Sequence, residues 1–179
     1  MKTAPLIAAY LAAICAANLA LAVYGPPAAV FNAICLVALD LVARDRLHTA
    51  WAGRRLWPRM LALIAAGGLI SYGLSWLTPA PPELVARIAL ASCAAFSLAG
   101  VADALVFQRL RGRPWLTRAN GSNGAGAVVD SLVFGLGVGL PWPAIALQII
   151  AKTAGGAVWA WLLRPRYGLA LAARLRGEG

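Results

Sequence analysis

Apolar residues fall in six long stretches, approximately 4–24, 27–44, 57–78, 84–108, 123–140 and 143–163, and the polar residues are gathered mainly between them. A helix needs about 20 residues to cross the roughly 30 Å hydrocarbon core of a bilayer, and each stretch is close to that length. The breaks are legible. Gly25-Pro26-Pro27 ends the first stretch, the TPAPPE run (78–83) separates the third from the fourth, and Leu140-Pro141-Trp142-Pro143 separates the fifth from the sixth. Proline removes a backbone donor and glycine frees the backbone, so these are turns. The pattern predicts an all-α polytopic membrane protein with six transmembrane helices, folded as a single domain over residues 1–179.

Charge sets the direction of the spans. Arg44, Arg46, Arg54, Arg55 and Arg59 follow the second stretch, and Arg109, Arg111, Arg113 and Arg118 follow the fourth. Arg164, Arg166, Arg174 and Arg176 follow the sixth, and Lys2 opens the chain. The turns after stretches one, three and five hold no Lys or Arg. Basic residues stay cytoplasmic, so six crossings put both termini in the cytoplasm of a bacterial inner membrane. Trp51, Trp57, Trp76, Trp115 and Trp142 lie near span ends, where an amphipathic indole suits the interface. The Ala/Leu run after Lys2 imitates a signal peptide, but its length and the spans that follow make it an uncleaved first helix. Spans one to three and four to six form oppositely oriented triplets, by analogy with inverted-repeat transporters.

Composition agrees. The chain is 61% hydrophobic and 12% charged, with mean hydropathy +0.75, whereas a soluble domain carries about a quarter charged residues. The net charge of +10 follows from the loops and the tail. No basic helix face interleaved with aromatics accompanies it, so nucleic acid is not an expected partner; the lipid bilayer is. Cys15, Cys35 and Cys93 sit in apolar runs without ligand spacing and read as packing residues.

Ionisable side chains inside a span cost about 2.5–3.5 kcal/mol near its centre and are functional candidates by default. Lys152 is the deepest, roughly 15 Å of helix from either end of its span, and needs a carboxylate partner, Asp130 or Asp103 across the bundle, or a water-filled cavity. Asp40 precedes Arg44 by one helical turn and Glu83 precedes Arg87 likewise, a spacing that allows ordinary ion pairs. Asp40, Arg44 and Arg87 are therefore read as structural or gating residues. Asn18, Asn32, Ser92, Ser131 and Gln148 add amides and hydroxyls that either bridge helices or line a polar lumen. In RANGSNGAGAVVD (118–130), Asn120, Ser122 and Asn123 read as caps opening span five. His48, the sole histidine, falls in a basic loop. No nucleophile elbow, zinc motif, phosphate loop or paired-carboxylate pattern occurs, so neither an enzyme nor a cofactor or metal site is expected.

The segment VARIALASCAAFSLAGVADALVFQRLRGRPW (85–115), with Arg87 and then Asp103, Val106, Phe107, Arg109, Leu110 and Arg111, resembles the queuosine precursor transporter family, also called the vitamin uptake transporter (VUT) family. Further matches follow in chain order: Asn18, L-x-x-D-L with Asp40, Ile70-Ser71-Tyr72, Asp130-Ser131-Leu132 and Lys152. Gly100 stands where members carry Gln, Ala127 where many carry Asn, and Phe31-Asn32-Ala33 where a Pro is usual, so the chain looks like a compact variant. The resemblance implies import of a purine-like base, 7-cyano-7-deazaguanine or a related 7-deazaguanine. A carboxylate, Asp103 or Asp130, would take its N–H edge, assisted by Asn18, Asn32 or Gln148, with Lys152 setting the charge balance or taking part in proton coupling. Two alternatives stand beside it. One is a substrate-binding membrane subunit of an ATP-driven vitamin or base importer, and the other a non-transporting scaffold. Homo-oligomers are compatible with each.

Overall fold

A computed structural model of the chain describes residues 3–24, 28–53, 55–77, 79 and 81–165. Among these the regular structure is entirely helical, in six rods: α1 (Ala4–Tyr24), α2 (28–51), α3 (Leu56–Ser75), α4 (Pro82–Arg109), α5 (Trp115–Val138) and α6 (Trp142–Leu162). Lys2, Gly25-Pro26-Pro27, Arg54, Thr78, Ala80, Arg166, Arg174 and Arg176 lie outside the described residues.

By length and apolar composition α1, α4 and α6 are able to cross a membrane. The other three rods carry the residues that lower an averaged hydropathy: Asp40, Arg44 and Asp45 in α2, Pro58 and Arg59 in α3, Arg118, Asn123 and Asp130 in α5. Much of that polarity is turned inward. Asp40, Arg44, Asp45 and Asn123 are buried, while Leu69, Leu90, Leu98, Leu136, Leu147, Ile150 and Val158 face out. Charge inside and a belt of exposed apolar side chains outside is the distribution expected when the solvent is lipid. This is a multi-pass membrane protein.

The helices close into a ring in the order α1, α3, α4, α5, α6, α2, and α2 also touches α4 and α5. The close contacts set the directions. Asp130 of α5 meets Lys152 of α6, and Phe107 and Gly137 at the far ends of α4 and α5 are each bonded from the start of the other. Tyr10 bonds Leu63 and Asn18 bonds Ser71, which makes α1 and α3 parallel. The two triplets differ in their neighbours: α1 packs on α3, whereas α4 does not touch α6 among the described residues.

Two boundaries differ from expectation. Helix α2 runs seven residues past 44, so Arg44, Arg46 and His48 belong to it rather than to a loop. The added turns are held from the side: Ser122 bonds Asp45, His48 bonds Gln108, and the Trp115 indole donates to Thr49. Helix α5 starts at Trp115 behind an extended Pro114, eight residues before 123. Asn120, Ser122 and Asn123 are thus interior residues, not caps. Glycine, alanine and serine at 119, 122, 126, 127, 131 and 135 form its buried face, and small residues let helices in lipid approach closely.

Helix α2 is interrupted by a π-helical turn over Asn32–Val37. Two partners complete this wider turn. The Trp159 indole donates to the Cys35 carbonyl at 2.9 Å, and Gly155 presses on Ile34, where any Cβ would run into the Ile34 carbonyl. Such turns are frequent at functional sites.

Candidate functional site

A cavity of about 420 Å³ lies between the helices, and all six contribute to its wall. Its rim, Leu21, Ala29, Leu84, Val138 and Leu140, sits at the helix ends whose turns lack Lys and Arg. Its floor, Ile14, Arg44, Phe96 and Ala99, lies near mid-bundle. Beyond the floor the arginine-rich half is filled by packed apolar groups, among them Leu47, Trp51, Met60 and Leu63 on one side and Val42, Phe107 and Ala160 on the other. The cavity is therefore closed toward the basic end of the bundle. Its volume falls in the range of about 300–1,000 Å³ typical of small-molecule sites, and an apolar wall with a few convergent polar groups is the usual composition.

One polar group lies on the α5–α6 wall. The Lys152 ammonium donates to Asp130 Oδ2 at 2.5 Å, Gln148 Oε1 at 2.9 Å and Ser131 Oγ at 3.0 Å. An ammonium has three N–H donors, so this one is fully used. Its position one turn below Gln148 on α6, facing the small-residue stripe of α5, produces the arrangement. Asp130 rather than Asp103 is the partner of Lys152. Asp130 keeps 19% of its side-chain exposure, against 4% for Lys152, so the pair meets the cavity through its carboxylate.

A second polar group forms the floor. Arg44 Nη2 donates to Asp40 Oδ2 at 3.1 Å, and Arg44 Nε lies 4.0 Å from Asp103 Oδ2. Asp40 and Arg44 line the cavity, and Asp103 does not; it stands behind Arg44, 1% exposed. Space for the guanidinium comes from Gly100, since a Cβ there would collide with Arg44 Nη1. Beside it Asp45, also buried, has both oxygens near the Ser122 hydroxyl at 3.0 and 3.1 Å.

The amides divide by what remains free. Asn18 is occupied, donating to Ile14 O and accepting from Ser71. Asn32 donates to Ala17 O at 2.8 Å, while its buried Oδ1 has no partner. Gln148 spends its oxygen on Lys152, which leaves its NH₂. Arg87 is outside the site: exposed at the rim end, it donates to the Gly137 carbonyl at 2.7 Å and joins α4 to α5 instead of pairing with Glu83. Phe96 and Phe134 also line the cavity. Nothing in the sequence distinguished these two from other apolar residues. His48 is buried in α2, bonded through Nε2 to Gln108 at 3.0 Å.

The family model described as "Putative vitamin uptake transporter" matches residues 6–165, nearly the whole chain. The chain belongs to the vitamin uptake transporter family. No curated protein and no solved structure matches it. Membership of the VUT family makes this a transporter of the membrane, and its match runs through every helix that walls the cavity, from α1 to α6.

Proposed function

We propose that this VUT protein is a six-span importer of the bacterial inner membrane, one domain with both termini cytoplasmic. Its substrate is a queuosine precursor, 7-cyano-7-deazaguanine or a related 7-deazaguanine base. The observation that carries the reading is the convergence of Asp130, Gln148 and Asn32 on one cavity with two phenylalanines. A guanine-like edge offers adjacent N–H donors beside a carbonyl acceptor. Asp130 Oδ1 accepts the donors, because Lys152 engages only Oδ2, and the free Gln148 NH₂ donates to the carbonyl. Asn32 Oδ1, buried without a partner, takes a further N–H; leaving it unmatched costs about 1–3 kcal/mol. Phe96 and Phe134 give aromatic faces to the flat ring. Asn18 shapes the wall, Lys152 holds the Asp130 carboxylate in place, and Asp103 acts on Arg44 rather than on substrate. The crossing count and orientation are supported by the rim's lack of Lys and Arg and the concentration of arginines at the other end.

The test is uptake of labelled 7-cyano-7-deazaguanine into cells that can neither make nor otherwise import it. Gene-dependent uptake, reduced at least ten-fold by Asp130→Asn in protein that still reaches the membrane, is the expected result. Normal uptake by Asp130→Asn would falsify the assignment of the donor edge. The same uptake in liposomes holding only this chain separates a self-sufficient transporter from a subunit that needs an ATP-driven partner and from a scaffold.

A further inference from the structure

Behind the cavity floor the charges do not balance. Asp40, Asp45 and Asp103 surround one cation, Arg44, and all four residues are buried, at most 3% exposed. With every group ionised this set carries two excess negative charges. Their hydrogen bonds are also too few. Asp103 has no partner on either oxygen, Asp40 Oδ1 has none, and neither Nε nor Nη1 of Arg44 has one. Asp45 relies on the Ser122 hydroxyl, a single O–H placed between its two oxygens and also 3.1 Å from Ala119 O.

Among the described residues the surroundings do not supply the missing charge. From α1 comes the Tyr10 hydroxyl, already donating to Leu63 O. From α5 comes Arg118, which reaches Asp45 only from the partly exposed basic end and is stacked on Phe107 at 3.9 Å. Asp130 adds a further negative charge, and Lys152 on α6 is taken by it. Helix α3 sends no ionisable side chain to the cluster among the described residues. A metal ion is a poor remedy beside a guanidinium, and no described group of His, Cys, Asp or Glu side chains has metal-holding geometry.

The small cation that fits between such oxygens is the proton, and the placement of the groups gives it a route. Asp40 faces the cavity. Asp103 and Asp45 lie behind it, and His48, one turn further along α2, continues toward the basic end with a buried, unpartnered Nδ1. Chains of Asp and His inside a membrane are the usual material of proton relays.

We propose that Asp40, Asp103 and Asp45, arranged around Arg44, form a proton-carrying site that couples import of the base to proton entry. A proton enters from the cavity onto Asp40, passes to Asp103 or Asp45, and leaves at the basic end; Arg44 keeps its own proton throughout and no bond of the substrate changes. The inference rests on the transport reading above and adds its energy source.

The experiment uses the full chain in liposomes with a pH-sensitive dye inside and 7-cyano-7-deazaguanine as the probe. Two quantities are read: uptake driven by an imposed pH gradient, and counterflow exchange of labelled for unlabelled base, which needs no net proton movement. Wild-type protein is expected to acidify the lumen as base enters, with uptake raised at least five-fold by an inward proton gradient. Asp103→Asn and Asp45→Asn are each expected to lower gradient-driven uptake at least ten-fold more than exchange. A merely structural role would lower both together, and that result overturns the proposal. Uptake that ignores the proton gradient, or follows a sodium gradient instead, also overturns it while leaving the transport reading standing. Absence of exchange in wild-type protein removes the transport reading and this proposal with it.

Discussion

The polar groups of the α5–α6 wall and those of the cavity floor are built from similar side chains and are in opposite conditions. On the wall, one Lys and one Asp cancel, and three acceptors match three donors. On the floor, three carboxylates share one Arg, and several buried oxygens and nitrogens have no partner. A buried pair that is neutral and satisfied resists change, because removing either member strands a charge; this costs roughly 3–5 kcal/mol. A buried group that is over-charged and under-bonded has no such penalty for losing one carboxylate. It gains from anything that supplies protons or donors. The difference suggests a division of labour: the wall holds a fixed shape for a ligand, and the floor changes state.

The sharpest way to break this comparison is to make the same exchange in both places. Asp130→Asn leaves Lys152 charged without a counter-charge and is expected to cost about 3–5 kcal/mol, read as a large fall in the unfolding temperature of the purified protein. Asp103→Asn removes surplus negative charge and no hydrogen bond, so a change within about 1 kcal/mol is expected. Equal losses from both would mean that the floor is as tightly matched as the wall. Next in size is Ser122→Ala, which takes away the hydroxyl that donates to Asp45. A loss of about 1–3 kcal/mol is expected, read as a lower unfolding temperature. Unchanged stability would show that Asp45 does not depend on that hydroxyl. Between the two groups stands the π turn of α2. Trp159→Phe frees the Cys35 carbonyl from its side-chain donor and should cost about 0.5–1.5 kcal/mol, with uptake reduced by a few-fold as the Asn32 side of the cavity loosens. Unaltered uptake would detach the turn from the site. Smallest is Arg87→Gln: its bond to Gly137 is exposed, so stability should stay within about 0.5 kcal/mol and uptake within two-fold. A severe transport defect there would move the site toward the rim.

Much of the architecture could be read in one dimension. The apolar stretches and their Pro/Gly breaks located helices, and Lys152 in the middle of an apolar run called for an acidic partner or a water-filled cavity. Asp130 and Asp103 were equally eligible until the helices were packed. Asp45 and His48 were hidden because hydropathy falls after Val42, and a run of polar residues reads as loop when nothing shows that α4 and α5 cover it. Ser122 and Asn123 resembled caps because glycines around them suggested a helix start, whereas in the bundle Gly121 and Gly126 allow close contact. Phe96 and Phe134 had no signal, since an aromatic residue facing a cavity and one facing lipid look alike in an apolar run.

The order of residues along the chain was enough to establish a helical membrane protein, the concentration of arginines at alternate turns and the VUT resemblance. These depend on local properties: backbone satisfaction in lipid, charge near a span end and motifs in order. Tertiary packing decided which carboxylate meets Lys152, that Arg44 fills the room left by Gly100, and that Asp103 lies behind the cavity rather than in it. Those outcomes depend on which faces of distant helices meet, and on small residues that set how near they come, so no single segment contains them.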